Sequence, residues 1–394
     1  MADRAVDILL VGGGVASATA AATLAQEGFD GTVLLAAREL DPPYERPPLT
    51  KEYLRGVSTR ADAHVATGDA EVLVRTGVMK LDSAAREATL ATKEVVAYDR
   101  ALLATGAMVR RLQVDGTELE GLHYIRTFGN SDALRTDVAE AEHVVCVGGS
   151  YIACEVAASL TAMGIAVTMV MQEAVPFERG FGPRVGAWFR DRLQERGVAF
   201  ITEDDVARFA GTERLERVIT RSGREVEAQA AVLGVGVMPD VMLARSAGLD
   251  LGESGGIACD DRLRTSALGV WAAGDVCEYD SVVHGRRLRV EHTEHAAAQG
   301  AHAARAMLGH DGPYDVVPYF FSDLSDWASL EYVGPAASWD EEVVTGSMDE
   351  GTFGVWYLED GRVRGALSVG GGLDLDRARE LLVAGEPVAA TGLE

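Results

Sequence analysis

Residues 6–28 read VDILLVGGGVASATAAATLAQEG, and this stretch decides the fold. Val6 to Val11 is an apolar run, Gly12-Gly13-Gly14 interrupts it, and Val15 to Ala25 is rich in helix-forming alanine. A second apolar run, Thr32 to Ala37, follows. The order strand, glycine turn, helix, strand is a βαβ unit. A GxGxxG turn in that place sets backbone N–H groups and a helix N-terminus against a pyrophosphate, because a Cβ would block the turn or the phosphate. Here the three positions are Gly12, Gly14 and Ser17. The third position serves helix–strand packing, where a small residue such as serine substitutes.

The plan recurs. Val144 to Val147 is apolar, Gly148-Gly149-Ser150 follows, Tyr151 to Met163 has helical spacing, and Val167 to Met171 is the next strand. Gly148, Ser150 and Ala153 occupy the glycine positions, a looser match. Two such turns, each between an expected strand and an expected helix, point to two dinucleotide sites rather than to one tight turn of a doubly wound sheet. A carboxylate beyond the second strand normally binds a ribose. In the first repeat Glu39 takes that role, with Arg38 beside it. In the second, Met171 stands where an acid is expected, and Glu173 comes two residues later. No arginine cluster marks a 2′-phosphate site, which favours NADH and leaves NADPH open.

Outward from these repeats, Tyr98 to Ala107 reads as a strand ending in a turn. Ala228 to Pro239 reads as one buried strand, and Gly269 to Val276 as another ending in Gly-Asp. Residues 290–308 form an alanine-rich helix. From Pro318 the pattern turns aromatic and alternating, and Asp374 to Ala384 is a last helix. The expected fold class is α/β, with two Rossmann-like nucleotide-binding domains and a small α+β C-terminal domain.

Composition narrows the rest. With 394 residues, 47% hydrophobic and 25% charged, the chain has ample core for several domains. A net charge of −25 repels nucleic acid and anionic lipid. The longest apolar runs, such as Ala230 to Met238, are about half the ~18 residues a membrane span requires. Only Lys51, Lys80 and Lys93 are lysines among the 36 basic residues. Cys146, Cys154, Cys259 and Cys277 form no CxxC or CxxxxC, so structural thiols in a reducing compartment are expected, with no metal site. The N-terminus enters a strand at once, which reads as cytoplasmic.

PYERPPLTK at 43–51 is the most specific short stretch. With LLATGA at 102–107, GGSYIACE at 148–155, GVWAAGDV at 269–276, RVEHTEHA at 289–296 and FFSD at 320–323, it resembles the FAD-dependent pyridine-nucleotide oxidoreductases. Within them the chain is most similar to the ferredoxin reductases of Rieske-type oxygenase systems and the apoptosis-inducing factors. The resemblance implies a glutathione-reductase-like fold, with FAD on the first repeat and NADH or NADPH on the second. Carried over, Gly12, Gly14, Ser17 and Glu39 hold the ADP half of FAD, and Val78 presents backbone to adenine. Arg46 and Lys51 lie near the flavin. Thr105, Gly106, Arg126, Gly274, Asp275, Glu291, His292 and Phe321 join the cofactor set. Gly148, Ser150, Tyr151, Ile152, Glu155, Glu173 and Gly236 serve the nicotinamide nucleotide.

The motif order implies an FAD domain at 1–110 and 238–316, an NAD(P) domain at 111–237 and a C-terminal domain at 317–394 offering a dimer or docking surface. No cysteine precedes Cys146, so a dithiol relay on the first helix is excluded. Direct flavin chemistry remains: hydride moves from NAD(P)H to flavin N5, with Lys51 and Glu155 as the catalytic pair. Electrons then pass to a small carrier such as a [2Fe–2S] ferredoxin. An apoptosis-inducing-factor-like NADH sensor with slow turnover, or a reductase of quinones or other small molecules, is the alternative. PWFWSD-like tryptophans of the ferredoxin reductases are replaced here by Tyr319 and Phe321.

Overall fold

The computed structural model describes residues 2–393. It forms two compact units. The first gathers the chain up to Glu45, Ala63–Met108 and Met238–Phe320; the second gathers Arg46–Asp62, Val109–Val237 and the chain from Phe321 onward.

The first unit is built on a seven-stranded sheet. Arg4–Val11 lies at its centre, parallel to Val33–Ala36 on one side and to Val95–Leu103 on the other. Leu10 pairs with Leu35 and with Leu102, and all three are fully buried. Strands covered on both faces read as continuous apolar runs, which is why these segments are legible in sequence. Val270–Ala272 continues the parallel half, and the hairpin strands Val78–Asp82 and Glu87–Leu90 turn the far edge antiparallel. Helices Val15–Gln26 and Thr293–Met307 lie so close that a Cβ on Gly300 would stand 2.1 Å from the Ala16 carbonyl oxygen.

The second unit has a five-stranded parallel sheet. Its order is Val198–Ile201, Ala166–Val170, His143–Val147, Ala230–Leu233 and Leu122–His123. A five-stranded antiparallel sheet from the C-terminal region, with helix Leu375–Ala384, provides the α+β part. Residues 46–62 cluster with this unit because they are pinned to its helices. Ser131 Oγ donates to the Leu49 carbonyl at 2.9 Å, Ser159 Oγ to the Thr50 carbonyl at 2.7 Å, and Tyr53 Oη to Asp132 at 2.6 Å.

The single strand expected over 228–239 is two, Ala230–Leu233 and Val237–Pro239. Gly236, at φ +91°, breaks the run. The strand expected to end at Val276 closes at Ala272, and Gly274–Val276 is one 3₁₀ turn. Helix Glu178–Glu195 escapes the periodicity argument because Gly182-Pro183 kinks it.

Candidate functional site

In the first unit the turn between Val11 and Val15 holds its shape through Gly12. Its φ is +119°, and a Cβ there would stand 2.1 Å from the Ala104 carbonyl oxygen. Gly14 starts the helix Val15–Gln26 with no side-chain cap, and a Cβ on it would meet nothing within 4 Å. Uncapped N–H groups therefore open onto free space, the arrangement a pyrophosphate requires. Ser17 is fully buried on this helix, and its hydroxyl has no partner among the described residues. Glu39 accepts a hydrogen bond from Tyr44 Oη at 2.5 Å, so the expected ribose acid is held by the motif that begins at Pro43. Val78 opens an edge strand and packs on the core.

Thr105 Oγ1 donates to the Asp240 carbonyl at 2.7 Å, and the Gly106 carbonyl accepts from Asp240 N–H at 2.9 Å. Gly274 N–H donates to Gln299 Oε1 at 2.8 Å, while Gln299 Nε2 is buried without a partner among the described residues. The Asp275 carbonyl accepts from Arg289 Nη1 at 3.1 Å, and Arg289 also grips Glu291. His292 occupies the N-cap position of helix Thr293–Met307 but does not cap it. Its ring stacks on Phe320 with centroids 3.9 Å apart and planes at 10°. Burial pushes its pKa down to about 4 against the pull of Asp275, so the imidazole is neutral near pH 7. The open glycine turn, the orphaned Gln299 amide and the neutral imidazole fit an uncharged ring system joined to a pyrophosphate.

The second unit repeats the turn. Gly148 has φ +112°, and a Cβ would stand 2.4 Å from the Gly234 carbonyl oxygen. Ser150 is exposed and starts helix Tyr151–Ala162, again with no side-chain cap. Tyr151 and Ile152 are half-buried in its first turn, and the Tyr151 ring packs on Phe177 at 5.4 Å. Met171 is buried, so it cannot serve a ribose. Glu173 does reach the turn: its Oε2 lies 3.3 Å from the Cβ position of Gly149, and its Oε1 pairs with Arg179 Nε at 2.7 Å. Beyond Gly236 a Cβ would meet open space.

The same unit holds a buried charged cluster. Glu155, at the start of the second turn of helix Tyr151–Ala162, is buried. Its Oε2 accepts from Thr50 Oγ1 at 2.6 Å and its Oε1 from Ser322 Oγ at 2.5 Å. Lys51 Nζ stands 3.5 Å from Glu155 Oε1 and 3.6 Å from Asp323 Oδ2, with only 5% of its side chain exposed. Phe321 lies 4.9 Å beneath the ammonium. Burial raises the Glu155 pKa, and Lys51, Ser322 and Thr50 pull it back. Arg46 donates to the Arg126 carbonyl, which brings those two expected residues together. Thr50, Ser322 and Asp323 escaped the sequence reading. The signal was available, since Thr50 precedes Lys51 in PYERPPLTK and the other two end FFSD.

The four cysteines are free and buried. Burial pushes the Cys146 thiol up to about 12 and raises Cys154 and Cys277, so these three stay protonated and unreactive. Among the described residues no group of three or more His, Cys, Asp or Glu is placed to hold a metal, and no helix is long and apolar enough to cross a membrane.

A two-turn dinucleotide architecture with a buried lysine–carboxylate pair defines a class, and residues 6–300 match it. The chain belongs to the pyridine nucleotide-disulphide oxidoreductase family, and residues 319–394 match the reductase C-terminal domain. It is an NAD(P)H-dependent oxidoreductase, and its cofactors are FAD and NAD(P)H. It is 32% identical to rhodocoxin reductase of Rhodococcus erythropolis over 97% of this chain and 91% of that protein. It is 34% identical to the 5,5'-dehydrodivanillate O-demethylase ferredoxin reductase subunit of Sphingobium sp., over 97% and 94%. The crystal structure of the ferredoxin reductase for the CYP199A2 system from Rhodopseudomonas palustris superposes with a TM-score of 0.92 at 30% identity, covering 99% of this chain and 97% of that one.

Proposed function

We propose that this chain takes hydride from NADH and passes single electrons to a small iron–sulfur carrier of the [2Fe–2S] ferredoxin type. The observation that carries the reading is the buried Lys51–Glu155 pair in a chain that lacks a dithiol relay. Bound FAD supplies the hydride acceptor and splits the electron pair, which is chemistry no side chain here provides. Gly12, Gly14, Ser17, Glu39, Val78, Thr105, Gly106, Gly274, Asp275 and His292 hold it, with Arg46, Arg126, Glu291 and Phe321 completing the set. Gly148, Ser150, Tyr151, Ile152 and Gly236 seat the nicotinamide nucleotide. The carboxylate of Glu173 beside Gly149 favours a free ribose hydroxyl over a phosphate, hence NADH over NADPH. Lys51 supplies positive charge from a compact donor, and Glu155, fixed by Thr50 and Ser322, orients it.

The same reading divides the chain into the FAD, NAD(P) and C-terminal domains expected above and places it in the cytoplasm. Relatives support the carrier: two are named as the ferredoxin reductase component or subunit of a dioxygenase system, and one matching structure is a covalent putidaredoxin reductase–putidaredoxin complex.

Anaerobic stopped-flow tests the proposal. NADH should bleach the flavin quickly, and cytochrome c should then be reduced only when a [2Fe–2S] ferredoxin is added. Lys51→Ala should slow bleaching by on the order of 10²-fold while FAD stays bound. Slow bleaching of the wild type into a long-lived charge-transfer band, with no carrier reduced, would favour an NADH sensor instead.

A further inference from the structure

The reaction proposed above does not balance without a proton. One NADH and two oxidised one-electron carriers yield NAD⁺, two reduced carriers and one H⁺. Two electrons reach the carriers, so each turnover must release one proton to water. Lys51 and Glu155 are both buried.

Asp323 differs from both. Its Oδ2 is 3.6 Å from Lys51 Nζ, yet 38% of its side chain is exposed. It also lines a cavity of about 470 Å³ shared with Ser325, Asp326, Trp327, Arg192 and Asp349. A polar space of that size holds several waters, each taking ~30 Å³. Glu155, Lys51 and Asp323 therefore form one line of charged groups, with steps of 3.5 and 3.6 Å, from a buried carboxylate to a solvent-facing one.

We infer that Asp323 is a positioning residue that holds Lys51 and forms the outlet by which the proton of each turnover leaves the buried Lys51–Glu155 pair for the adjoining cavity. The inference rests on the proposed carrier reduction. In the relay, the Lys51 ammonium breaks an N–H as Asp323 forms an O–H, and Asp323 then gives the proton to water. The neutral Lys51 amine forms a new N–H as protonated Glu155 breaks its O–H bond. Lysine ends as the ammonium it began as, and no electrons move. Burial raises the Glu155 pKa, which suits it to carry a proton briefly. Other titratable groups also act on the line. Tyr151 and Cys154 lie close enough to Glu155 to interact with it, and Arg192, Arg196 and Asp326 share the cavity with Asp323.

Two measurements on the holoenzyme test this. The chain has three lysines, so ¹⁵N-lysine NMR shows three side-chain signals, and Lys51→Arg identifies the one that matters. Asp323→Asn should move the Lys51 signal and leave those of Lys80 and Lys93 in place; an unmoved Lys51 signal overturns the pairing. In a weakly buffered single turnover with NADH, a [2Fe–2S] ferredoxin and a pH-indicator dye, wild type should release one proton per NADH. Asp323→Asn should delay that release by on the order of 10²-fold and enlarge its solvent isotope effect, and Asp323→Glu should restore both. Release by Asp323→Asn at the wild-type rate with an unchanged isotope effect overturns the outlet. If wild type reduces no one-electron carrier, the proposed function fails and the outlet with it, a result separable from the first because the NMR arm is independent of turnover.

Discussion

Replacing Glu155 with glutamine separates the two forces that act on the buried pair. At 3.5 Å, Lys51 and Glu155 attract by about 5 kcal/mol at an effective dielectric constant of ~20. Burial opposes this and is the larger effect, because the Glu155 pKa is raised rather than lowered. An acid whose folded pKa exceeds its unfolded value favours the fold below the unfolded value and loses that contribution as pH rises through the folded one. Wild type should therefore lose stability from about pH 4.5 upward, by about 1.4 kcal/mol for each unit of elevation. Glutamine keeps the shape and accepts or donates to the Thr50 and Ser322 hydroxyls without ionising. Urea unfolding should show Glu155→Gln close to wild type in acid and more stable than it near neutral pH. Glu155→Ala should instead lose about 3–5 kcal/mol, since it strands Lys51 and both hydroxyls. Flavin bleaching by NADH should slow in both variants. A glutamine variant that grew less stable relative to wild type as pH rose would refute the reasoning, because attraction would then outweigh burial.

Two further outcomes follow from the first unit. Gly12→Ala puts a methyl 2.1 Å from the Ala104 carbonyl in a left-handed backbone, so the purified protein should lose its yellow colour and more than about 3 kcal/mol of stability, read by absorbance and thermal melting. His295 is buried, with Nδ1 3.3 Å from Tyr314 Oη, and burial pushes its pKa down to about 3. A histidine depressed in this way contributes stability in full above its unfolded value of 6.5 and loses it as pH falls toward 3. His295→Gln should flatten the acid limb of the urea-midpoint profile between those values, and an unchanged slope would show that His295 is not the group responsible.

The βαβ repeats were legible because their signals are local. Ile8–Val11 and Val144–Val147 are buried on both faces and read as apolar runs, and glycine must stand at 12 and 148 because a backbone carbonyl occupies the space of a Cβ. The kinked helix Glu178–Glu195 and the broken strand at 230–239 were not, since Gly-Pro and Gly-x-Gly interrupt the spacing on which a pattern depends. The sequence alone determined the two glycine turns and the lack of a dithiol relay on the first helix, and it singled out Lys51 and Glu155 as candidates. Only the tertiary structure decided what surrounds that pair. Thr50 and Ser322 lie 105 and 167 residues from Glu155, and Asp323 comes from the C-terminal region. Such contacts arise when distant segments pack together to bury a carboxylate that must find donors, and no local spacing encodes which donors those will be.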